Sequence, residues 1–287
     1  MFNSTDVFIV GGGPAGLAAA IAARQRGLRV VVADGGQPPI DKACGEGLMP
    51  DGLAALQRLG IQLSPAEAHP FRGIRFVSSS SSADALFPNQ ECGLSVRRTV
   101  LHRAMIERAA QMGAELLWNA PVAGISCEGV CVANSFIQAR WIVGADGSNS
   151  RVRRWAGLDH YSRPHRRYAF RRHYRIAPWT DHMEVHWGDR CQGYATAVGP
   201  NQVCVALASH DPSLRLRDGL PELPRLAERL QGAEPVTVER GAITGNRRFR
   251  RVWKDNIALI GDAAGTVDAI TGCLLYTSPS PRDRQKS

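Results

Sequence analysis

The sequence predicts an α/β fold (α+β overall) in which a parallel βαβ unit carries an inserted antiparallel β-sheet. Three observations support this fold class. A glycine-rich strand, turn and helix pattern occupies residues 6–34. Four strand-like runs without helices between them occupy 166–210, as in an antiparallel sheet. An apolar run that ends in a turn of small residues returns at 257–265.

The βαβ pattern at residues 6–34 is the most specific feature of the chain. A short apolar run meets Gly11, Gly13 and Gly16 at the G-x-G-x-x-G spacing, and a second apolar run ends at Asp34. Gly11 permits a sharp turn, Gly13 lets the backbone approach a pyrophosphate, and Gly16 lets the helix pack on the strand. Phosphates are favoured at the helix N-terminus, and Asp34 is placed to accept hydrogen bonds from a ribose. The pattern therefore predicts a Rossmann-like dinucleotide site.

A loop and a hairpin-rich region follow this unit. Proline and glycine predict a loop over 38–47, which is suited to lie flat against a ligand and contains Cys44 and Gly45. Periodicity predicts helices over 49–59 and 101–112. The strand-like runs are 73–77, 115–118, 122–126, 130–132, 136–137 and 141–143.

The antiparallel sheet is predicted from runs at 168–176, 183–187, 194–198 and 203–209. A helix is expected over about 214–230, disturbed by Pro221 and Pro224, because proline removes a backbone donor and clashes with the preceding turn.

Composition indicates a globular protein of one or two domains. The 287 residues are 44% hydrophobic and 21% charged, and glycine and proline interrupt the apolar N-terminal stretch before it could serve as a signal peptide. We therefore expect a cytoplasmic protein. The seven cysteines form no CxxC pair and no Cys/His cluster at zinc spacing, so we expect reduced thiols and no metal site.

The charge is strongly positive, at +9, and nine arginines fall between positions 151 and 175. Charge alone is compatible with nucleic-acid or anionic-membrane binding. Arginines spread over turns and alternate strand positions more often form a solvated face, which is the reading we prefer. A third reading is attraction of an acidic substrate or of the phosphates of a nicotinamide cofactor.

The last fifteen residues, CLLYTSPSPRDRQKS, differ in character from everything before them. Residues 273–283 resemble the in-frame translation of transposase adapter DNA, and Pro279 and Pro281 oppose both helix and sheet. We expect a chain truncated after residue 272 that ends in a non-native tail. A native disordered tail is the alternative.

Three separated motifs together resemble one family. GGGPAG at 11–16 with Asp34, GADGSNSRVR at 144–153 and ALIGDAAGTVDAITG at 258–272 look like the three sequence marks of FAD-dependent oxidoreductases of the aromatic-hydroxylase fold. This family includes flavin monooxygenases, geranylgeranyl reductases and flavin halogenases, and the resemblance covers residues 5–272. It implies a Rossmann-like FAD-binding domain with an inserted antiparallel-sheet substrate domain.

The glycine turn and the resemblance together define a candidate cofactor site. In the family, the residue matching Arg98 lies near the FAD ribose and pyrophosphate, the Asp-Gly motif is linked to FAD and NAD(P)H, and Asp262 binds the ribityl or pyrophosphate region. The alternative for Arg98, Ser150 and Arg153 is that they cap helices and pair with acids. The candidate cofactor-binding residues are Gly11, Gly13, Pro14, Ala15, Gly16, Asp34, Cys44, Gly45, Arg98, Asp146, Gly147, Ser150, Arg153, Gly261, Asp262, Ala263 and Gly265.

The same reading divides the chain into six segments. The FAD-binding domain is made of three parts, 1–77, 96–165 and 251–272. Between them lie a sheet-associated insert at 78–95 and the antiparallel-sheet substrate domain at 166–250, and the non-native tail is 273–287.

The activity that the resemblance implies is NAD(P)H-dependent flavin chemistry on a small organic substrate. A monooxygenase comes first because it is the commoner activity on this fold. Sheet aromatics such as Tyr168 and Trp187 favour an apolar or aromatic substrate. A reductase of C=C bonds is the alternative, because GDAAG followed by T-G and the segment Lys42-Ala43-Cys44-Gly45 resemble that branch. A halogenase comes third, and its catalytic lysine motif is not located in this sequence. Two readings without enzyme activity are a flavin-bound binding or sensor protein and an inactive truncated fragment.

Partners and catalytic groups are less well defined by the sequence. One glycine fingerprint without a second predicts that NAD(P)H acts as a transient reductant beside bound FAD. We expect a small-molecule substrate, no nucleic acid, no stable membrane span, and peripheral membrane contact if the substrate is a lipid. No general base stands out, although His173, His182 and His186 lie on predicted sheet strands.

Overall fold

Three β-sheets carry the fold of the computed structural model, which describes residues 4–159 and 165–266. The described strands are β1 (Ser4–Val10), β2 (Val30–Ala33), β3 (Gly47–Leu48), β4 (Ala68–Phe71), β5 (Gly73–Val77), β6 (Ser82–Leu86), β7 (Gly93–Val96), β8 (Glu115–Leu117), β9 (Val122–Ile125), β10 (Gly129–Val132), β11 (Ser135–Gly144), β12 (His165–Arg175), β13 (Met183–Trp187), β14 (Cys191–Gly199), β15 (Gln202–Ser209), β16 (Glu234–Pro235), β17 (Arg240–Arg248), β18 (Trp253–Lys254), β19 (Ile257–Leu259) and β20 (Gly265–Thr266). The described α-helices are α1 (Pro14–Arg24), α2 (Pro50–Arg58), α3 (Arg98–Gln111), α4 (Arg151–Trp155), α5 (Leu216–Gly219) and α6 (Pro224–Arg229). The expectations for Thr271, Gly272 and the tail 273–287 lie outside the described residues.

The first sheet has the strand order β18-β19-β11-β1-β2-β8, in which β19, β11, β1, β2 and β8 run parallel to one another. Strand β18 is antiparallel to β19, and the hairpin β9–β10 pairs with β11 in antiparallel fashion. The central strands of the sheet are continuous apolar runs because both faces are covered. Val7 and Ile9 on one face pack with Ala20 of α1, while Phe8 and Val10 belong to the apolar cluster on the other face. The carboxyl ends of these strands therefore meet at one edge, where parallel sheets bind ligands.

The second sheet has the order β20-β17-β12-β15-β14-β13-β5-β6, with β16 beside β12. Its long strands β12, β15, β14 and β13 are antiparallel, as the strand spacing predicts. Leu207, Leu223 and Leu226 are fully or almost fully buried in the apolar cluster on one face, where α5 and α6 cover the sheet. Burying each such side chain stabilises the fold by about 1.5–3 kcal/mol.

Two local features differ from the sequence-based expectations. The helix expected over 214–230 is divided into α5, a 3-10 turn at Leu220–Glu222 and α6. Pro221 and Pro224 lie at the divisions, since neither proline can donate the hydrogen bond that a continuous helix needs. In addition, β5 pairs in parallel with β13, so 73–77 lies in the second sheet although the sequence-based division placed it with the first part of the FAD-binding domain.

A small third sheet connects the two larger ones. Its order is β3-β7-β4, and all its pairs are antiparallel. Met49 and Phe71, beside these strands, share a buried cluster with Met183 of the second sheet. This packing places the loop before β3 between the first and second sheets. Among the described residues, no helix has both the length and the apolar character required to cross a bilayer.

Candidate functional site

A cavity of about 930 Å³ lies at the carboxyl ends of the parallel strands and reaches β17 and β20 of the second sheet. Eleven of the predicted site residues line it: Gly11, Gly13, Pro14, Ala15, Asp34, Cys44, Arg98, Asp146, Gly147, Gly261 and Asp262. The other six, Gly16, Gly45, Ser150, Arg153, Ala263 and Gly265, do not line it. Lys42 and Ala43 also contribute to the wall.

The glycines of the first turn have three different spatial roles. Gly11 has a φ of +110°, and a Cβ there would lie 2.4 Å from the Ala145 carbonyl oxygen. A Cβ at Gly16 would lie 1.9 Å from the carbonyl oxygen of Gly11, so the helix approaches the turn too closely for any side chain. Gly13 lines the cavity, and a Cβ there would meet nothing within 4 Å. The turn thus needs glycine at 11 and 16 for packing, whereas Gly13 keeps the cavity open.

The N-terminus of α1 opens onto this cavity. Gly13 is its N-cap, no side chain caps it, and Pro14 occupies the first turn. The first backbone N–H groups of a helix have no partner within the helix, and they favour anions together with the helix dipole. The position is therefore suited to hold a phosphate group.

Asp34 follows β2 and shapes the turn as well as lining the cavity. Its Oδ2 accepts a hydrogen bond from the Gly12 N–H at 2.7 Å, and its Oδ1 accepts one from the Gly36 N–H at 2.7 Å. A carboxylate oxygen accepts more than one hydrogen bond. Asp34 therefore keeps acceptor capacity for a ligand hydroxyl while it orders the backbone on both sides.

His102 is a supporting residue that the sequence analysis did not identify. This side chain on α3 is fully buried. Its Nδ1 accepts a hydrogen bond from the Ile40 N–H at 3.1 Å, so its Nε2 carries the proton and donates to the Gly12 carbonyl oxygen at 2.7 Å. Burial lowers the pKa of His102, which favours this neutral form. The signal available in the sequence was a histidine on the apolar face of a helix.

The Asp-Gly motif forms a braced corner beside the cavity. Asp146 Oδ2 accepts hydrogen bonds from the N–H groups of Arg151 and Val152 at 2.7 and 3.2 Å, and the Ser150 hydroxyl accepts one from the Arg153 N–H at 2.9 Å. These contacts cap α4. Gly147 has a φ of +80°, which suits glycine in the turn.

Arg153 is buried behind this corner rather than exposed to the cavity. Its guanidinium donates to the Asp159 carboxylate at 2.7 Å and to the carbonyl oxygens of Ala263 and Ser148, both at 3.0 Å. Its guanidinium also lies 4.5 Å from the ring centre of Phe249. Ser150 and Arg153 thus make the capping and pairing contacts that the sequence analysis named as their alternative role.

Two polar atoms at the cavity wall indicate that it suits a polar ligand. Within the described residues, Arg98 Nε and Asp146 Oδ1 are buried without a hydrogen-bond partner. A buried polar atom without a partner costs free energy, so such atoms often mark the position of a ligand. The wall thus presents a guanidinium donor, a carboxylate acceptor and a free helix N-terminus. This donor and acceptor set fits a dinucleotide.

The histidines of the second sheet have protein partners. The imidazole of His173 contacts Glu46, that of His182 contacts Asp181, and that of His186 contacts Glu184. None of these three histidines lines the cavity. Glu46, the other residue that the sequence analysis missed, lies in a loop where no periodic pattern could identify it.

Comparison with known proteins agrees with this geometry. A family model described as an FAD binding domain matches residues 4–173, more than half of the chain. A digeranylgeranylglycerophospholipid reductase of Methanopyrus kandleri is 30% identical over 95% of this chain and 77% of its own length. A menaquinone reductase of Mycolicibacterium smegmatis is 28% identical over 95% of this chain and 73% of its own length. The solved structure of a probable FAD-dependent monooxygenase from Pseudomonas aeruginosa has a TM-score of 0.76 at 20% identity, covering 94% of this chain and 81% of that one.

The chain belongs to the FAD binding domain family. It is an FAD-dependent oxidoreductase, which confirms the class, the α/β fold and the flavin cofactor that the sequence motifs predicted.

Proposed function

We propose that this chain is a flavin-dependent reductase that saturates carbon–carbon double bonds of an isoprenoid lipid. One observation carries this proposal. Lys42, Ala43 and Cys44, in the segment that resembles the reductase branch, line the cavity wall. The two relatives that align with 95% of the chain at 28–30% identity are also reductases, one of digeranylgeranylglycerophospholipid and one of menaquinone. A lipid substrate would bring the protein into peripheral contact with a membrane surface.

Monooxygenation of a small apolar or aromatic substrate is the second candidate. It is favoured by the fold shared with a probable FAD-dependent monooxygenase. The shared fold alone does not separate these two activities, because one fold supports many reactions.

The residues at the cavity define how FAD would be held. The N-terminus of α1 at Gly13, Pro14 and Ala15 would receive the pyrophosphate, and Asp34 would accept hydrogen bonds from the adenosine ribose. The free donor of Arg98 would pair with a phosphate oxygen.

The remaining predicted residues would act at and behind the wall. Asp262, Gly261 and the free acceptor of Asp146 would contact the ribityl and flavin part. Arg153 and Ser150 would keep the corner around Gly147 in place without touching the cofactor.

The bound flavin supplies the redox chemistry in this proposal, and NAD(P)H is the proposed transient reductant. The chain itself would bind the cofactor, orient it towards the second sheet and exclude water from the cavity. Saturation of one C=C bond adds a hydride and a proton, and a reductase of this kind needs no oxygen.

The cofactor assignment is tested by Gly13→Val, because the structure separates binding from folding at this position. A Cβ at this position would enter the open cavity with no protein atom within 4 Å, and the φ of −74° at Gly13 is acceptable for valine. We expect a folded protein that loses at least about ten-fold in FAD affinity, the ratio for 1.4 kcal/mol. Flavin fluorescence titration of the FAD-free protein measures it. The control is Gly124→Val, where a Cβ also meets nothing within 4 Å but the residue lies outside the cavity wall. Unchanged FAD affinity in Gly13→Val would refute the assignment.

The proposed reaction is tested without oxygen. We expect the FAD-loaded protein, reduced under argon, to add two hydrogen atoms per double bond to menaquinone or a geranylgeranyl lipid, as measured by mass spectrometry of the product. The FAD-free protein is the control. Turnover that requires O2 and places labelled oxygen from O2 in the product would replace this proposal with the monooxygenase.

A further inference from the structure

The loop before β3 is attached to strand β12 at two separate points. Arg171 and His173 are two residues apart, lie on the same face of β12 and are both completely buried. The Arg171 guanidinium donates to the Asp41 carboxylate and, at 3.5 Å, to the Lys42 carbonyl oxygen. His173 Nε2 lies 2.6 Å from the carboxylate Oε2 of Glu46. The two contacts are thus at opposite ends of the segment 41–46.

The hydrogen bonds define the protonation state of His173. Its Nδ1 lies 3.1 Å from Nη1 of Arg171 and 3.0 Å from the hydroxyl of Thr237. A guanidinium only donates, so Nδ1 is the acceptor and Nε2 carries the proton. The imidazole is therefore neutral and donates to the Glu46 carboxylate in a charge-assisted hydrogen bond.

With His173 neutral, Arg171 and Arg240, which both pair with the Asp41 carboxylate, balance the charges of Asp41 and Glu46 without a metal ion. Burial alone would lower the pKa of Arg171, but the negative charges of Glu46 and Asp41 help to raise it, so its positive charge is retained. The donor atoms of Glu46, His173 and Cys204 lie within 4.8 Å of one another, a spacing that could suit a metal. Burial raises the pKa of Cys204 and keeps it a thiol, and the direct contact between Glu46 and His173 leaves no space for an ion between them.

Glu46 also connects the cluster to the helix beside the cavity. Its Oε1 accepts a hydrogen bond from the Arg98 N–H, the first residue of α3, at 2.9 Å. Its backbone has a φ of +61°, which is uncommon for a residue other than glycine and costs free energy. Two hydrogen bonds to the carboxylate offset this cost.

We propose that Arg171 and His173 are positioning residues that form a two-point clamp with Asp41 and Glu46. The clamp holds the intervening segment so that its cavity-lining residues, Lys42 to Cys44, keep one position. The second sheet therefore sets one wall of a cavity whose other walls are formed largely by α1, α2, α3 and the loops at the ends of the first sheet. The clamp would act in the same way whatever the substrate and whichever flavin reaction occurs.

The test measures how fast a maleimide labels Cys44 in the ligand-free protein, resolved by residue with peptide mass spectrometry. Cys44 is 7% exposed and lines the cavity, so release of the segment should expose it. We expect His173→Phe to accelerate labelling at Cys44 by about ten-fold or more, consistent with loss of a hydrogen bond to a charged group. His173→Gln keeps an N–H donor for Glu46 and should restore slow labelling.

Two controls separate the clamp from general instability. Cys191 is buried beneath α5, far along the second sheet, and its labelling reports global unfolding within the same sample. His186→Phe breaks another buried histidine–glutamate contact, on β13, and leaves the residues of the segment 41–46 unchanged. It should leave labelling at Cys44 relative to Cys191 unchanged.

The outcome is decided by the ratio of labelling at Cys44 to labelling at Cys191. The clamp proposal is wrong if His173→Phe raises the labelling rates of Cys44 and Cys191 equally. It is also wrong if His186→Phe raises the ratio as much as His173→Phe does. If His173→Phe does not fold, Asp41→Asn weakens the other attachment at a partly exposed position and should raise the same ratio. An unchanged ratio in that folded variant would also overturn the proposal.

Discussion

The imidazole of His102 joins two backbone segments that are far apart in the sequence. It accepts from the N–H of Ile40 and donates to the carbonyl of Gly12, so it connects the turn before α1 with the loop after β2. A buried backbone group without a hydrogen-bond partner costs free energy. In both segments, the side chain of His102 supplies that partner. His102 therefore stabilises the glycine turn before α1 without lining the cavity.

We expect His102→Phe to lower the free energy of unfolding by roughly 2–4 kcal/mol, since each buried backbone group left unpaired costs about 1–3 kcal/mol. The effect depends on pH. Burial lowers the pKa of His102 below its ordinary value of 6.5, so the unfolded chain binds a proton below that pH before the folded chain does. The stabilisation by the wild-type histidine is thus complete above about pH 6.5 and decreases as pH falls towards the folded pKa.

Urea unfolding of the wild type and of His102→Phe at pH 7 and pH 5 measures this pH dependence of the unfolding free energy. The difference between wild type and His102→Phe should be larger at pH 7. The same substitution at the exposed His210 is the control. A difference that grows at pH 5 would contradict the neutral assignment.

Strand β13 carries a buried, hydrogen-bonded histidine and glutamate that do not line the cavity. The Glu184 carboxylate accepts hydrogen bonds from His186 Nε2 at 3.0 Å and from the Trp179 indole N–H at 2.9 Å. Burial alone would raise the pKa of Glu184, but these two hydrogen bonds outweigh it and hold the pKa below its ordinary value of 4.5. The pair therefore stabilises the second sheet in the ionised form of the glutamate.

We expect Glu184→Gln to lower the free energy of unfolding at pH 7 by about 1–3 kcal/mol. Because the folded pKa is depressed, the contribution of Glu184 is complete above about pH 4.5 and is lost as pH falls through the folded pKa. The stability difference between wild type and variant should therefore shrink in acid. Unfolding curves at pH 7 and pH 4 test this, with Glu91→Gln at an exposed position as control. An equal difference at both pH values would show that packing, not ionisation, is responsible.

At the scale of elements, local sequence patterns predicted strands and turns but not which distant residues contact one another. The strands predicted at 73–77 and 183–187 have the same bounds in the structure, because alternating or continuous apolar runs express burial locally. The glycine spacing similarly predicted the turn at Gly11. The contact between His173 and Glu46 joins residues 127 positions apart, and no periodicity within either segment encodes it. The same limit applies to His102, whose partners lie in two other loops.

On the scale of the whole molecule, the sheets are connected by strands as well as by side chains. The chain leaves the first sheet, contributes β5 and β6 to the second sheet, and returns to the first sheet at β8. Later, β17 in the second sheet is followed by β18 and β19 in the first. Which sheet β5 joins could not be read from the sequence, because its apolar pattern suits either one.

Because the chain passes between the first and second sheets more than once, we expect the two sheets to unfold together. We expect the amides of β1 and β15, one strand from each large sheet, to lose protection from hydrogen exchange at the same urea concentration. Peptide-level exchange measured across a urea series tests this. Protection of β1 that persists at urea concentrations where β15 is already unprotected, or the reverse, would show two independent folding units.

The parallel pairing of β5 with β13 also limits how the protein can be divided. A fragment that begins at β12 would contain most of the second sheet but would leave one edge of β13 without its neighbour. That edge would expose unpaired N–H and C=O groups on a strand whose side chains are mostly buried in the intact protein. Unprotected edges of this kind pair with other chains, so the excised sheet would tend to self-associate. A recombination point for building chimeric enzymes is therefore better placed before β5, which keeps the β5–β13 contact within one parent.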